Sequence, residues 1–203
     1  MRPSSGISSL FALLLLLLPL AAGAVVEPKT LTEYPDQITV ESDQGDVVMK
    51  VTGAGLREKT FLKVDVYTIA SYVDNGATLE GEPGVALCAL DAPKRIQMDL
   101  RRGFSRDKLI NAFIEGIEKN VEDTSGIADD METFKAYFTR DAQDGDLIIF
   151  DYCPLKGLTT ILNGEITGVI DNFDFVKAMW TVWFGEKPAN NGLKQALLSQ
   201  ITG

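Results

Sequence analysis

The chain has 203 residues, of which 29 are acidic and 19 are Lys or Arg, and its formal net charge is −10. This acidic balance repels nucleic-acid phosphates and anionic lipid headgroups, so we expect no nucleic-acid partner. The chain has no histidine, which excludes Ser-His-Asp and Cys-His nucleophilic sites, histidine-ligated zinc and histidine acid-base catalysis.

Residues 1–24 have the features of a secretory signal peptide. Arg2 gives a positive start, an apolar run extends from Leu10 to Leu20, and Ala22-Gly23-Ala24 matches the small-residue pattern of a cleavage site. The run is shorter than the roughly 20 residues that a membrane-spanning helix needs. We therefore expect a periplasmic or secreted protein with no stable membrane anchor after cleavage. The mature chain, 25–203, has the length of one domain.

The first half of the mature chain is predicted to form strands. The predicted elements are an extended lead-in over 25–35 and strands over 38–40, 47–51, 61–73 and 94–102. The turn between the strands over 38–40 and 47–51 is predicted at 43–46. In the last strand, Ile96, Met98 and Leu100 alternate with polar residues, which is typical of a strand with one buried face.

The second half is predicted to contain two pairs of helices separated by strands. Ser105 is a candidate N-cap for a helix whose apolar residues recur at three and four, through Phe113 to Ile117. Asn163-Gly164 predicts a hairpin turn. The other predicted elements are helices over 127–139, 173–184 and 192–201, and strands over 147–153, 158–162 and 165–170. This order predicts an α+β domain, with helices on one face of an antiparallel sheet.

Several residues allow more than one interpretation. The glycines of Gly53-Ala54-Gly55 predict a bulge or tight turn. Arg57 follows an apolar segment and needs an anion, either an acidic side chain or a ligand carboxylate or phenolate.

Cys88 and Cys153 either pair in an oxidising compartment or lie buried as thiols. The acidic loop 141–146 lacks the ligand spacing of an EF-hand, so no metal is expected there. Trp180, Trp183 and Phe184 are expected in the core, with the wall of a pocket as the alternative.

Four segments together resemble the chalcone isomerase family, in the form found in exported bacterial proteins. They are Gly53–Arg57, Ile69–Val73, Ala92–Ile96 with the following Phe104, and Trp183–Glu186 with Leu193–Leu198. The resemblance implies an open-faced β-sandwich over 25–203, in which a large antiparallel sheet is covered by a layer of helices with a ligand cleft between them. No cofactor is implied.

The resemblance also implies a site. Arg57 matches the family's catalytic arginine, and Asn111 stands where the family places an asparagine that binds a ring hydroxyl. Phe104 replaces a tyrosine, Tyr67 stands near an active-site threonine, and Val182 replaces a threonine or serine. Because two hydroxyls are lost, Arg57 with Tyr67 is more similar to the fatty-acid-binding branch of the fold, where arginine and tyrosine hold a carboxylate.

Three functions follow as hypotheses. The first is non-catalytic binding of a small apolar carboxylate, such as a fatty acid, with Arg57, Tyr67, Phe104, Asn111 and Val182 around it. The second is an isomerase or intramolecular lyase that acts on a chalcone-type enone through Arg57 and Asn111. The third is a structural or partner-binding domain whose cleft is filled by its own side chains; such a protein partner is not identified by the sequence.

Overall fold

The computed structural model describes residues 23–41, 45–59 and 64–201. A seven-stranded antiparallel sheet dominates it, and its strands follow one another in chain order. The strands of the sheet are β3 (Gln37–Val40), β4 (Val47–Lys59), β5 (Val64–Asp74), β6 (Lys94–Leu100), β7 (Leu147–Cys153), β8 (Gly157–Leu162) and β9 (Glu165–Ile170). Most of the signal peptide, the first half of the turn at 43–46 and the first residues of the 61–73 strand lie outside the described residues.

Helices cover one face of this sheet and bury the main core. They are α1 (Pro83–Ala89), α2 (Arg106–Glu118), α3 (Ala128–Ala136), α4 (Phe173–Phe184) and α5 (Asn191–Leu197). Phe113, Phe134, Phe150 and Trp183 meet in this layer with ring centroids 5.4 to 6.1 Å apart. The predicted α+β class and the open-faced sandwich are confirmed.

Strand β6 shows the alternation that its sequence predicts. Its residues alternate between buried and half-buried, and Ile96, Met98 and Leu100 point into the helix layer. On the other face, Arg95 forms a two-bonded ion pair with Asp151, its directly opposite neighbour on β7. Cross-strand pairs of this kind fix the register of the sheet.

The outer face of the sheet carries a second, smaller core. Residues predicted as an extended lead-in form a hairpin instead, in which β1 (Ala24–Glu27) pairs with β2 (Thr32–Pro35). Tyr34 is 2% exposed there, and its hydroxyl donates to Asp99 at 2.7 Å. Burial of the Tyr34 ring and this polar contact hold the hairpin against β4, β5 and β6.

The glycine segment lies within a strand rather than between two strands. Strand β4 continues through Gly53 to Lys59 with a register shift beside Gly53, so the predicted bulge is present. Gly53 has a φ of 155°, and a Cβ placed there would lie 2.1 Å from the Ala196 carbonyl oxygen of α5. The bulge therefore lets the end of α5 contact the sheet backbone, where Thr52 Oγ1 donates to Leu197 O at 2.9 Å.

Helix α1 was not predicted, although its signals are in the sequence. Glu82 caps its first turn by accepting from Val85 N, and Pro83 occupies the first helical position. At its other end, the buried Lys94 ammonium donates to Leu87 O at 2.9 Å and Cys88 O at 3.2 Å. Lys94 also lies 4.8 Å from the centroid of the Trp180 ring.

Both cysteines are free, half-buried thiols. Burial raises the pKa of Cys88 to about 11, against the smaller opposing effect of the nearby Lys94 charge. Among the described residues, no helix has the length and hydropathy that crossing a bilayer requires.

Candidate functional site

A cleft of about 370 Å³ lies between the sheet and the helix layer. Strands β4, β5 and β6 form its floor, α2 and α4 form its walls, and the loop after α4 closes one end. Its lining residues are Arg57, Lys59, Val66, Tyr67, Met98, Leu100, Phe104, Lys108, Leu109, Ala112, Phe113, Glu115, Gly116, Lys119, Val182, Lys187, Pro188 and Ala189. This volume lies within the range of small-molecule sites.

Arg57 is the half-buried cation of the cleft. It lies directly across from Tyr67 in the pairing of β4 with β5, and its Nη1 donates to the carbonyl oxygen of Ala189 at 2.5 Å. No acidic side chain among the described residues forms an ion pair with it. Since a guanidinium has five N–H donors, Arg57 keeps donors for a ligand anion while the Ala189 contact fixes its orientation.

Tyr67 provides an oriented hydroxyl beside Arg57. Its side chain is buried, and its oxygen accepts from Trp183 Nε1 at 3.1 Å and from the Arg57 side chain. Burial raises the pKa of Tyr67, and the Arg57 charge and both hydrogen bonds oppose that shift only partly. The phenol therefore stays protonated near neutral pH, and because its oxygen already accepts two bonds, its own proton is available to a ligand acceptor.

The rest of the inner surface is apolar. Val182 is 4% exposed on α4, and the half-buried Phe104 is held in place by a backbone pair with Ala142, with two bonds of 2.9 Å. Met98 and Leu100 complete this wall from β6. Inside the exposed charged residues of its opening, the cleft thus combines the half-buried Arg57 and the Tyr67 hydroxyl with an apolar surface, as expected of a site for an amphipathic anion.

Four of the five predicted site residues line this cleft, and Asn111 does not. Asn111 is exposed on α2. In a helix of 3.6 residues per turn, it lies about 40° from Glu115 and about 160° from Leu109, at the edge of the helix face that lines the cleft. Asn111 therefore stays a prediction, on an exposed position of α2 that is absent from the lining of the cleft.

Two contacts of the site were not predicted. Trp183 was expected in the core or in the wall of a pocket, and it is 1% exposed, but the hydrogen bond by which its indole N–H orients Tyr67 was not predicted. The Ala189 carbonyl orients Arg57 from a loop whose path the sequence does not specify. A tryptophan on the helix face that meets the floor of the cleft was the available signal for the first contact.

A second cavity of about 330 Å³ lies between Phe138, the loop around Arg140 and strands β7 to β9. The Arg140 cation of this cavity is already paired within the protein. Arg140 donates to both carboxylate oxygens of Asp146, at 2.8 and 3.0 Å, and Asn163 donates to Asp146 at 2.9 Å. These bonds lower the pKa of Asp146 to about 2. Since its cation is paired within the protein, this cavity is a weaker candidate for binding an anion.

Comparison with known proteins agrees with the architecture. The sequence profile of chalcone isomerase-like proteins matches residues 30–199. Among solved structures, a fatty-acid binding protein of Arabidopsis thaliana is similar, with a TM-score of 0.68 and 22% sequence identity over 87% of this chain and 96% of that chain. A search of curated proteins finds no match to this sequence. At 22% identity, the structural similarity concerns the fold.

Proposed function

This chain belongs to the chalcone isomerase-like family, and we propose that it binds a small apolar carboxylate, such as a fatty acid, without transforming it. The observation that carries this proposal is the state of Arg57: it faces a cleft, beside a hydroxyl donor, with no acidic partner among the described side chains. A half-buried guanidinium in such a place is stabilised by an anion from outside the protein.

The donors and the apolar wall match the two ends of such a ligand. The carboxylate accepts from the free N–H groups of Arg57 and from the Tyr67 hydroxyl, which are charge-assisted bonds of the stronger kind. The hydrocarbon chain contacts Phe104, Val182 and Met98, whose apolar side chains bury its surface and need no polar group on the ligand. The similar protein from Arabidopsis thaliana is a fatty-acid binding protein, which supports the same ligand class.

The isomerase hypothesis receives less support from the geometry. Of its two residues, only Arg57 lines the cleft, because Asn111 lies on the exposed side of α2. Phe104 and Val182 offer no hydroxyl to a polyphenol. The third hypothesis, a filled cleft, is disfavoured by a cavity of about 370 Å³ that reaches Arg57.

We also propose that the protein acts after export, as a periplasmic or secreted domain. The support is the N-terminal sequence, with its positive start, apolar run and small-residue cleavage pattern. Cleavage after residue 24 would remove Gly23 and Ala24 from the described part of the chain and leave three of the four residue pairs of the β1–β2 hairpin. Mass measurement of the protein recovered from culture would test it: a chain that keeps residues 1–24 contradicts export by cleavage.

The binding proposal is tested by what the protein carries. Protein purified under mild conditions is analysed by native mass spectrometry, and any bound molecule is extracted and identified. Arg57→Met removes the anchoring cation, Arg57→Lys keeps the charge without the planar fork, and Arg140→Met is a matched control in the second cavity. We expect a carboxylate on the wild type and on Arg140→Met and its loss from Arg57→Met. Equal occupancy in all variants would contradict the proposal.

A further inference from the structure

The opening of the cleft carries a concentration of positive charge that the net charge of the molecule conceals. An adjoining groove of about 270 Å³ shares Lys59, Val66, Phe104 and Lys108 with the cleft and adds Arg102. The cations around this opening are Lys59, Arg102, Lys108, Lys119 and Lys187, which we call the cationic rim. All five are exposed. They come from four different parts of the fold, and they surround one opening.

The acidic residues are distributed differently. The chain has 29 of them against 19 cations, yet in the part of the chain that the structure describes, Glu115 is the one acidic residue that lines the cleft or the groove. Its one partner on the rim is Lys119, at 3.9 Å, and both side chains are more than 60% exposed, so that pair neutralises little. Within the described residues, the other four rim cations form no ion pair.

We propose that the cationic rim docks this protein reversibly on anionic lipid bilayers, with the opening of the cleft against the membrane. Charge complementarity supports this partner: cations near an anionic bilayer are attracted, and the attraction falls off within about 10 Å at 0.1 M salt. The lining of the cleft and groove holds the five rim cations and the Glu115 carboxylate, so a bilayer against the opening meets mainly positive charge, and more distant acidic residues are screened. The docking is a local exception to the repulsion expected from the net charge.

The proposed docking depends on charge rather than on insertion of apolar side chains into the bilayer. Among residues 23–41, 45–59 and 64–201, the large apolar side chains that are well exposed are Val26, Leu31, Val48, Val85, Leu155, Ile166 and Val169, and none of these seven lines the cleft or the groove. No described helix is suited to crossing the bilayer. High salt should therefore release the protein. The purpose of docking, unlike docking itself, rests on the proposed function: an acyl ligand would pass between the bilayer and the cleft without crossing water.

Vesicle sedimentation tests the proposal with the full mature protein. The probes are vesicles of phosphatidylcholine alone and vesicles in which about a third of the lipid is phosphatidylglycerol. Since each cation near an anionic surface contributes about fivefold in partition, Lys108→Gln with Lys119→Gln should weaken binding to the anionic vesicles by about 25-fold. The matched control is Lys50→Gln with Lys156→Gln, two exposed lysines of other surfaces, which change the net charge equally and should weaken binding by less than about threefold.

A gain in binding provides an independent check. Glu115→Gln removes the acidic group of the opening and should strengthen binding to anionic vesicles by about fivefold. Equal affinity for both vesicle types, or equal losses in the rim and control pairs, would overturn the proposal. Decanoate, a carboxylate of ten carbons, is the ligand probe. The proposal would also be overturned if the protein did not bind vesicles and the rim pair bound decanoate more weakly than the wild type, because the rim cations would then serve ligand binding. Vesicle binding that persists while decanoate binding fails would refute the proposed function and leave docking intact.

Discussion

The volume of the cleft predicts how affinity depends on the length of the ligand. Each buried methylene contributes about 0.8 kcal/mol, or about fourfold in affinity. A methylene occupies about the volume of a water molecule, about 30 Å³, so a cleft of about 370 Å³ holds about 12 non-hydrogen atoms. A saturated carboxylate of about ten carbons fills the cleft, and the additional carbons of a longer chain extend through the opening into solvent.

Isothermal titration with saturated carboxylates of increasing length measures this relation. From about six to about ten carbons we expect the affinity to rise about 250-fold in total, and beyond that length we expect it to level off. The alcohol of the same length should bind at least about tenfold more weakly, because a hydrogen bond to a charged group contributes about 1.5–3 kcal/mol. A series that is flat with length, or an alcohol that binds as well as the acid, would refute the assignment of Arg57 and the apolar wall.

Three further predictions concern single residues. Tyr67→Phe removes the hydroxyl donor and should weaken carboxylate binding about tenfold or more in the same titration. Burial lowers the pKa of Lys94 to about 7, with smaller opposition from nearby Cys88 and Asp91. Above pH 7 the unfolded chain therefore binds one more proton than the folded protein. The free energy of unfolding, measured in urea titrations, should rise by up to about 1.4 kcal/mol per pH unit between pH 7 and 9. Gly53→Ala drives a methyl group into the backbone of α5 and should destabilise the protein by about 3 kcal/mol, measured in the same way.

Each of these predictions has a control. Tyr137→Phe removes an exposed hydroxyl that donates to Val169 O and should leave carboxylate binding unchanged. Lys94→Met should abolish the rise with pH, and a rise that persists in this variant would assign it to another group. Gly126→Ala places a methyl group where no atom lies within 4 Å, and a loss of stability equal to that of Gly53→Ala would contradict the steric explanation.

The sequence predicted most of the sheet because hydrophobic periodicity is strong in its central strands. Strands β6 to β9 and helices α2 and α4 lie close to their predicted positions. The hairpin of β1 and β2 was missed because its turn depends on Leu31, which has a φ of 58°, and because its apolar side faces the outer surface of the sheet. The last helix ends at Leu197 rather than near residue 201, since its final turn contacts the Gly53 bulge, which is a tertiary effect.

The site was predicted less completely than the fold. Arg57 and Tyr67 face each other because the register of β4 and β5 places them opposite, and the resemblance had named both. Asn111 was named by the resemblance alone, and the structure places it on an exposed position of α2 outside the lining of the cleft. The Ala189 carbonyl and the gathering of the rim lysines depend on loops and on distant parts of the chain, which local sequence patterns do not bring together.

The most direct test of the central claim is a crystal structure of the mature protein with decanoate bound. We predict a carboxylate within about 3 Å of both the Arg57 guanidinium and the Tyr67 hydroxyl, with the hydrocarbon chain against Phe104 and Val182. A carboxylate at Arg140 in the second cavity, or at the rim lysines with no contact to Arg57, would contradict the claim that Arg57 anchors an apolar anion in this cleft.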